Sequence, residues 1–436
     1  MDKRFSNFFN LTEEQAIALL DTPPDRLNED DSRYVAASHL VNFPTEQAIA
    51  ALMRAVQQLD PAMDNRIVRR KSMETLGRLQ ATQALPLIRT CLRDSDCYTV
   101  EIAAWAIGEI GTQDPDILAE LAQCLDRAGQ TYRVIIHTLT KLNYLPALER
   151  IRNFVDAADL PTASAAITGI CRLTGDYSQM GKVVAMLQHP NVLARRLSIQ
   201  DLMDARYFSA IGNIARCPVS QVFRLRGIRS LAEAGIAEGV ATFESIQPHL
   251  EQTLRDHPSD LELVHTYEHP PSLSAAIRNL YETDFGRCYL AAQTILDRYS
   301  DSAPAALFAT FAEEANHDYG AHFHVVKLFG WLKHAPAFDL LLEALHHPQP
   351  QFQKSRAAAA IALGELGDGL RPVGDHRRAI PYLQACLDTS IWDLKYASLM
   401  ALEQLGATDA AERVLGDADW LVRAKAASCI ATAYPA

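Results

Sequence analysis

Apolar residues recur at helical spacing in short stretches along most of the chain, and the stretches resemble one another. From Asp64 the chain reads Asp64-Asn65-Arg66-Ile67-Val68-Arg69-Arg70-Lys71-Ser72-Met73-Glu74-Thr75-Leu76-Gly77-Arg78-Leu79, followed by a second helical pattern around Ala84–Leu92. The next copy runs from Asp96 through Val100, Ala103, Ala104, Trp105 and Ile107 to Ile110, with its partner over Asp116–Leu125. Gly77 and Gly108 lie 31 residues apart and read as closing the same kind of helix. Weaker copies follow at Thr131–Leu142, Thr162–Leu173, Leu193–Leu202 and Gln221–Leu231. After a gap the pattern returns at Asp318–Leu332, Phe352–Leu366, Asp393–Leu405 and Asp419–Thr432. Asp or Asn before the first turn can accept the orphan backbone N–H groups there. One helix pair cannot bury its apolar face, whereas stacked neighbours share a continuous core. Strand alternation is almost absent, since Val134-Ile135-Ile136 sits inside a helical period. The expectation is an all-α chain, an α-solenoid of helix pairs repeating every ~30 residues.

The stretch from Ala241 to Thr283 fits the repeat poorly and carries His257-Pro258 and His269-Pro270-Pro271. It reads as an irregular pair joining two arms, 1–239 and 240–436. A chain of 436 residues exceeds a single compact core, which suits a repeat array. The formal charge of −12 disfavours general phosphate-backbone binding, so no nucleic-acid partner is expected. No stretch reaches the length of a membrane span, and Met1-Asp2-Lys3-Arg4-Phe5-Ser6-Asn7 lacks a signal peptide's apolar segment. The eight cysteines are scattered, with Cys124, Cys171 and Cys429 inside apolar helical patterns. A reducing, cytoplasmic setting is expected.

One copy carries more chemistry than stacking needs. Glu313-Glu314-Ala315-Asn316-His317-Asp318-Tyr319-Gly320-Ala321-His322-Phe323-His324 places three histidines, an aspartate and a tyrosine at one helix start. Asp318 and His322, four apart, share a face, with Tyr319 about 100° around. Such groups can anchor an N–H-rich ligand and move protons beside it. The plain alternative is strong: Asp318 precedes Gly330 by 12 residues, as Asp96 precedes Gly108, so spacing alone favours a simple cap. His322 and His324 would then be partly exposed helix residues. Histidine spacing alone is a loose metal signal, and no metal or other cofactor is expected.

Basic residues cluster near helix starts: Arg66, Arg69 and Arg70, then Arg133, Arg195 and Arg196, and Arg224 and Arg226. Facing a groove, they could pair with ligand carboxylates; the plain alternative for each is an Asp/Arg ladder between repeats. Trp105, Phe223, Phe329 and Trp331 read first as packing, and second as walls for a planar ligand. No phosphate loop, nucleophile elbow or zinc framework is present.

Fragments such as Val422-Arg423-Ala424-Lys425-Ala426-Ala427 resemble the HEAT repeat. Beyond that, the chain resembles, along nearly its whole length, the HEAT-repeat phycobilin lyases of the E/F type. Its N-terminal arm resembles the E-type subunit at Tyr98-Thr99-Val100-Glu101-Ile102-Ala103-Ala104-Trp105-Ala106-Ile107-Gly108, and its C-terminal arm the F-type subunit. Single-chain members of about this length act on phycoerythrins. Lyases that also isomerise the bilin carry an Asn-His-Cys-Gln-Gly-Asn segment; here it reads Asn316-His317-Asp318-Tyr319-Gly320-Ala321. Asn, His and Gly are kept, while Cys-Gln and the final Asn are replaced.

The resemblance implies an enzyme, a curved solenoid with a concave substrate groove, and carbon–sulfur bond formation. Phycoerythrobilin would be joined through a thioether to a cysteine of a phycoerythrin subunit, α in the first instance, with isomerisation to phycourobilin. Asp318, Tyr319 and His317 would be catalytic; Trp105, Arg133, His322, Arg69 and Arg195 would bind the bilin. The bilin is substrate, the phycobiliprotein supplies the nucleophile, and no cysteine of this chain is required. The alternatives are plain ligation without isomerisation and a non-catalytic bilin chaperone or adaptor. A metal-dependent HEAT hydroxylase comes third.

Overall fold

The computed structural model describes residues 11–28, 31–369 and 377–433, so the reading of Met1–Asn7 lies outside it. Helices and short 3-10 turns make up the regular structure, with no strand among the described residues. Two compact units divide at Met180 and Gly181. The boundary read at Gly239 falls inside the second unit, just after its helix Gln221–Ala237.

The helices carrying the repeat phrase in the first unit are α1 (Met63–Arg78), α2 (Cys97–Ile110), α3 (Tyr132–Lys141) and α4 (Leu160–Thr174). Each packs on the next, and their inward residues, among them Met73, Leu76, Val100, Ala104, Ile107 and Ile135, join one buried cluster. In the second unit the corresponding helices are α5 (Val192–Asp204), α6 (Gln221–Ala237), α7 (Phe285–Tyr299), α8 (Tyr319–Trp331), α9 (Gln353–Gly369), α10 (Trp392–Gln404) and α11 (Trp420–Ala433). Here α8, α9, α10 and α11 stack in order, and the helix Phe243–Arg255 also packs on α9. Early and late helices of this unit therefore meet: Arg229 Nη1 donates to Asp419 at 2.8 Å, and Lys425 Nζ to Glu251 at 2.8 Å.

The repeat's glycines do a different job from the one expected. Gly77 and Gly108 lie inside α1 and α2 rather than ending them. A Cβ on Gly77 would sit 3.0 Å from Ala106 Cα, so this residue lets neighbouring repeat helices approach closely. Several stops are made by a recurring turn with a left-handed residue, which is Gln80, Asn143, Arg206 and Lys333 in four copies and Gly239 and Gly406 in two others. In each turn the following N–H reaches back six residues in all, for example Ala81 N to Leu76 O at 3.1 Å and His334 N to Phe329 O at 3.0 Å. That is the Schellman closure, made with glycine in some copies and without it in others. Sequence reading missed it because a left-handed Gln, Asn, Arg or Lys has no distinct signature.

Candidate active site

The second unit contains a cavity of about 680 Å³. One stripe of α6 forms a wall: Val222, Arg226, Arg229 and Glu233 fall at i, i+4, i+7 and i+11, the spacing of a single helix face. The opposing wall comes from the first turns of three successive repeat helices. Tyr319 starts α8, Gln353 and Lys354 start α9, and Trp392 and Asp393 start α10. Helix N-termini carry partial positive charge, so this wall favours an anionic ligand group.

The segment singled out by sequence divides between this wall and the interior. Asp318 is the N-cap of α8, its Oδ1 accepting from Gly320 N and Ala321 N, both at 2.8 Å. The cap turns the next side chain outward, and Tyr319, 56% exposed, lines the cavity. His317 lies in the preceding 3-10 turn, exposed and away from the cavity-lining set. His322 and His324 are buried, not partly exposed as helix periodicity suggested. His322 packs against Phe311, Phe352 and His347, and burial drives its pKa down to about 4. His324 sits against Phe285 and Tyr289, with neither ring nitrogen partnered and its pKa held well below the usual imidazole range by burial. Both are neutral core groups near pH 7.

Lys354 is the side chain that sequence reading overlooked. It is 9% exposed, and its Nζ lies 4.2 Å from the Phe285 ring centre and 4.9 Å from those of Tyr319 and Phe323. Among the described residues this ammonium has neither a hydrogen-bond acceptor nor an ion-pair partner. Burial lowers its pKa to about 8, against the opposing pull of Cys288, Asp318 and Asp256. A signal was present in the sequence: positions three and four away are Pro350, Gln351, Ala357 and Ala358, so no carboxylate can pair along the helix.

The other charges on the walls are mostly satisfied. Arg229 donates to Glu233 and Asp419, each at 2.8 Å, and lies 4.8 Å from the Trp392 ring centre. Burial raises the Asp393 pKa, opposed by a 3.4 Å hydrogen bond from Gln353 Nε2. Arg226 donates to the neutral Gln200 Oε1 at 2.9 Å. Arg224, two residues earlier, points the other way and is fully buried against Asp256 and Tyr289.

Comparisons with known proteins place the chain in a family. The model described as HEAT repeats matches residues 61–140, and that described as PBS lyase HEAT-like repeat matches 355–389, beginning one residue after Lys354. The chain is 63% identical to "Uncharacterized phycocyanin operon protein Y" of Pseudanabaena tenuis, over 98% of this chain and 99% of that protein. It is 31% identical to "Bilin biosynthesis protein CpeY" of a Synechococcus species, over 86% of this chain and 90% of that one. The chain belongs to the HEAT-repeat phycobilin lyases. Within that family it is 28% identical to "Phycocyanobilin lyase subunit alpha" of Synechococcus elongatus, over 52% of this chain and 88% of the subunit. The solved complex of CpcE and CpcF of phycocyanin lyase from a Nostoc species aligns with 56% of this chain and 94% of that chain. The identity is 23% and the TM-score 0.48.

The remaining residues expected to touch the bilin lie elsewhere in this lyase. In the first unit, Trp105 is half-buried against the core cluster and meets Gly77. Arg133 Nη1 donates to Pro161 O at 2.8 Å. Arg69 is buried and tied to Val56 O, Asp94 and Cys91, a ladder between repeats. Arg195, in the second unit, is fully buried, paired with Asp284, and donates to His189 O and Pro190 O. A guanidinium consumed in this way cannot receive a substrate carboxylate without breaking a buried pair. All eight cysteines are free and seven are buried, with Cys217 and Cys288 pushed up to about 12 by burial. Those two are poor nucleophiles. No helix among the described residues is long and apolar enough to cross a membrane.

Proposed function

We propose that this lyase joins phycoerythrobilin through a thioether to a cysteine of a phycoerythrin subunit, α in the first instance. The observation that carries the reading is the placement of Tyr319: the segment resembling the family's Asn-His-Cys-Gln-Gly-Asn stretch delivers this tyrosine to the wall of the 680 Å³ cavity. A volume of that size suits a ligand with several rings. The relatives' names, a bilin biosynthesis protein and a phycocyanobilin lyase subunit, support bilin attachment as the reaction class.

The acceptor protein brings the nucleophile. Its thiolate sulfur bonds to the A-ring ethylidene carbon, the π pair moves to the adjoining ring carbon, and that carbon takes the Tyr319 hydroxyl proton. Water restores the tyrosine. Asp318 uses Oδ1 for the cap, which leaves its second carboxylate oxygen to hold pyrrole N–H groups. Relocation of a further ring proton by Tyr319 with Lys354 as its neighbour would give phycourobilin; plain ligation stops before that step.

The test is co-expression with phycoerythrobilin synthesis and a phycoerythrin α subunit, read by acceptor fluorescence on denaturing gels and by absorption. Covalent pigment on the acceptor is expected. Asp318→Asn and Tyr319→Phe should each lower the rate of attachment by about 10²-fold or more while the chain stays folded. Attachment at the wild-type rate by the folded double variant would remove both residues from the mechanism. Pigment held by this chain but never transferred would make it a chaperone or adaptor. A shift to the phycourobilin band would establish isomerisation, and an unshifted spectrum plain ligation.

A further inference from the structure

The cavity walls carry two cations that form no ion pair among the described residues. Lys354 is caged by three aromatic rings with no acceptor among the described residues, and Arg226 contacts only a neutral amide oxygen. The contrast with Arg229, on the same helix as Arg226 and bound by two carboxylates, shows that this protein supplies counter-ions where it needs none from a ligand. The ring faces attract the ammonium and offset part of its desolvation, and an anion from the cavity would offset the rest. The first turns of α8, α9 and α10 bring their partial positive charge to the same wall.

We infer that the cavity is a dicarboxylate site in which Lys354 receives one ligand carboxylate and Arg226 the other. Resting on the bilin reading above, this assigns the two propionate side chains of an open-chain tetrapyrrole to these residues, and not to the buried Arg69 and Arg195. Lys354 is the stronger anchor, because its ammonium is nearly desolvated whereas Arg226 is exposed. The aromatic cage covers the lysine on the protein side, so the missing ligand group must come from the cavity.

Titration of the full chain with free phycoerythrobilin and with its dimethyl ester tests this, with Trp fluorescence and pigment absorption as readouts. The wild type should bind the diacid about 10- to 100-fold more tightly than the ester, the range expected of charge-assisted hydrogen bonds. Lys354→Met should remove most of that preference and leave ester affinity unchanged. Arg226→Gln should remove a smaller part, about threefold to tenfold. Lys354→Arg, which keeps the charge, should retain the preference and controls for lost packing. Equal weakening of both pigments by Lys354→Met, or no change in either, would overturn the inference. If the wild type binds the diacid and attaches it while Lys354→Met does the same equally well, only this inference falls. If the wild type binds neither pigment and yields no covalent product, the lyase reading falls with it.

Discussion

Two helix starts occupy the same register of the repeat and do opposite things. At the start of α2, Asp96 is followed two residues later by Tyr98, whose ring centre lies 5.2 Å from the Arg70 guanidinium. At the start of α8, Asp318 is followed at once by Tyr319, whose ring centre lies 4.9 Å from the Lys354 ammonium. Both tyrosines are mostly exposed and both line openings, of about 400 and 680 Å³. The difference is in how the charges close. Asp96 makes no capping bond and pairs instead with Arg70, accepting also from Thr99 Oγ1 at 2.6 Å. Burial raises its pKa, but Thr99 and Arg70 prevail and hold it below the usual carboxylate range. Nearby Lys71 has Glu74 at 2.6 Å. Every charge at the first corner is therefore used within the fold. At the second, Asp318 is spent on the cap, and the cation arrives from the following repeat helix with no ion pair among the described residues. An Asp, a Tyr and a cation make a structural corner when their charges cancel, and a ligand site when they do not.

The largest expected difference is in catalysis. Tyr319→Phe keeps the ring beside Lys354 but removes the proton, so attachment should slow by about 10²-fold or more. Tyr98→Phe makes the same change at the closed corner and should leave attachment at the wild-type rate. Equal losses from the two variants would dissolve the distinction between the corners.

Stability should separate them next. Lys354 carries a pKa lowered to about 8 by burial, below the 10.5 of an ordinary lysine. Below pH 8 folded and unfolded chains both hold this proton, and the cost of burying the charge is complete. Between pH 8 and 10.5 the unfolded chain binds more proton, so stability rises with pH through that window. Lys354→Met should therefore be more stable than wild type at pH 7, by on the order of 3 kcal/mol, with the gap closing toward pH 10.5. Arg70→Met leaves Asp96 without its partner and should cost about 1 kcal/mol. Denaturant melts across pH check both. A destabilised Lys354→Met would mean that the three ring contacts, or an anion bound in solution, outweigh the cost of burying the charge.

The close contacts between repeats give a third, smaller difference. A Cβ on Gly330 would meet Ala362 Cα at 2.8 Å and Glu365 Oε2 at 2.6 Å, one of them backbone. At Gly108 it would meet only the Thr138 side chain, at 3.0 Å. Gly330→Ala should lose about 1–2 kcal/mol by forcing α8 away from α9. Gly108→Ala should fall within about 1 kcal/mol of wild type, since better helix propensity offsets a contact that can yield. Thermal melts of the pair suffice.

Much of this was legible in the sequence, for identifiable reasons. Apolar spacing exposed the repeat because stacking needs the same face buried in every copy, and it placed the starts of α2, α8 and α10 to within a residue or two. The Asn316–His324 segment stood out because three histidines and a tyrosine crowd around an ordinary capping aspartate. Periodicity could not tell which of its side chains face inward: His322 and His324 are core, and only Tyr319 reaches the cavity. The arginines misled for a related reason. Arg69 and Arg195 look like ligand anchors, but their partners, Asp94 and Asp284, lie 25 and 89 residues away, where no local pattern shows them. Lys354 was overlooked for the converse reason, because a partner's absence is visible only when every neighbouring element is known.

The smallest effect concerns the two aspartates themselves. Asp318 Oδ1 serves two backbone N–H groups, so Asp318→Ala should cost about 1 kcal/mol, the usual price of an N-cap. Asparagine offers the same carbonyl oxygen in the same place, and Asp318→Asn should melt within about 0.5 kcal/mol of wild type. At Asp96 the order of the substitutions should change. No cap is lost there, but the amide no longer balances Arg70, so Asp96→Asn should lose nearly as much as Asp96→Ala. Four melts decide it. Asparagine rescues a cap and fails an ion pair; if it rescues both positions or neither, the two helix starts are doing the same job.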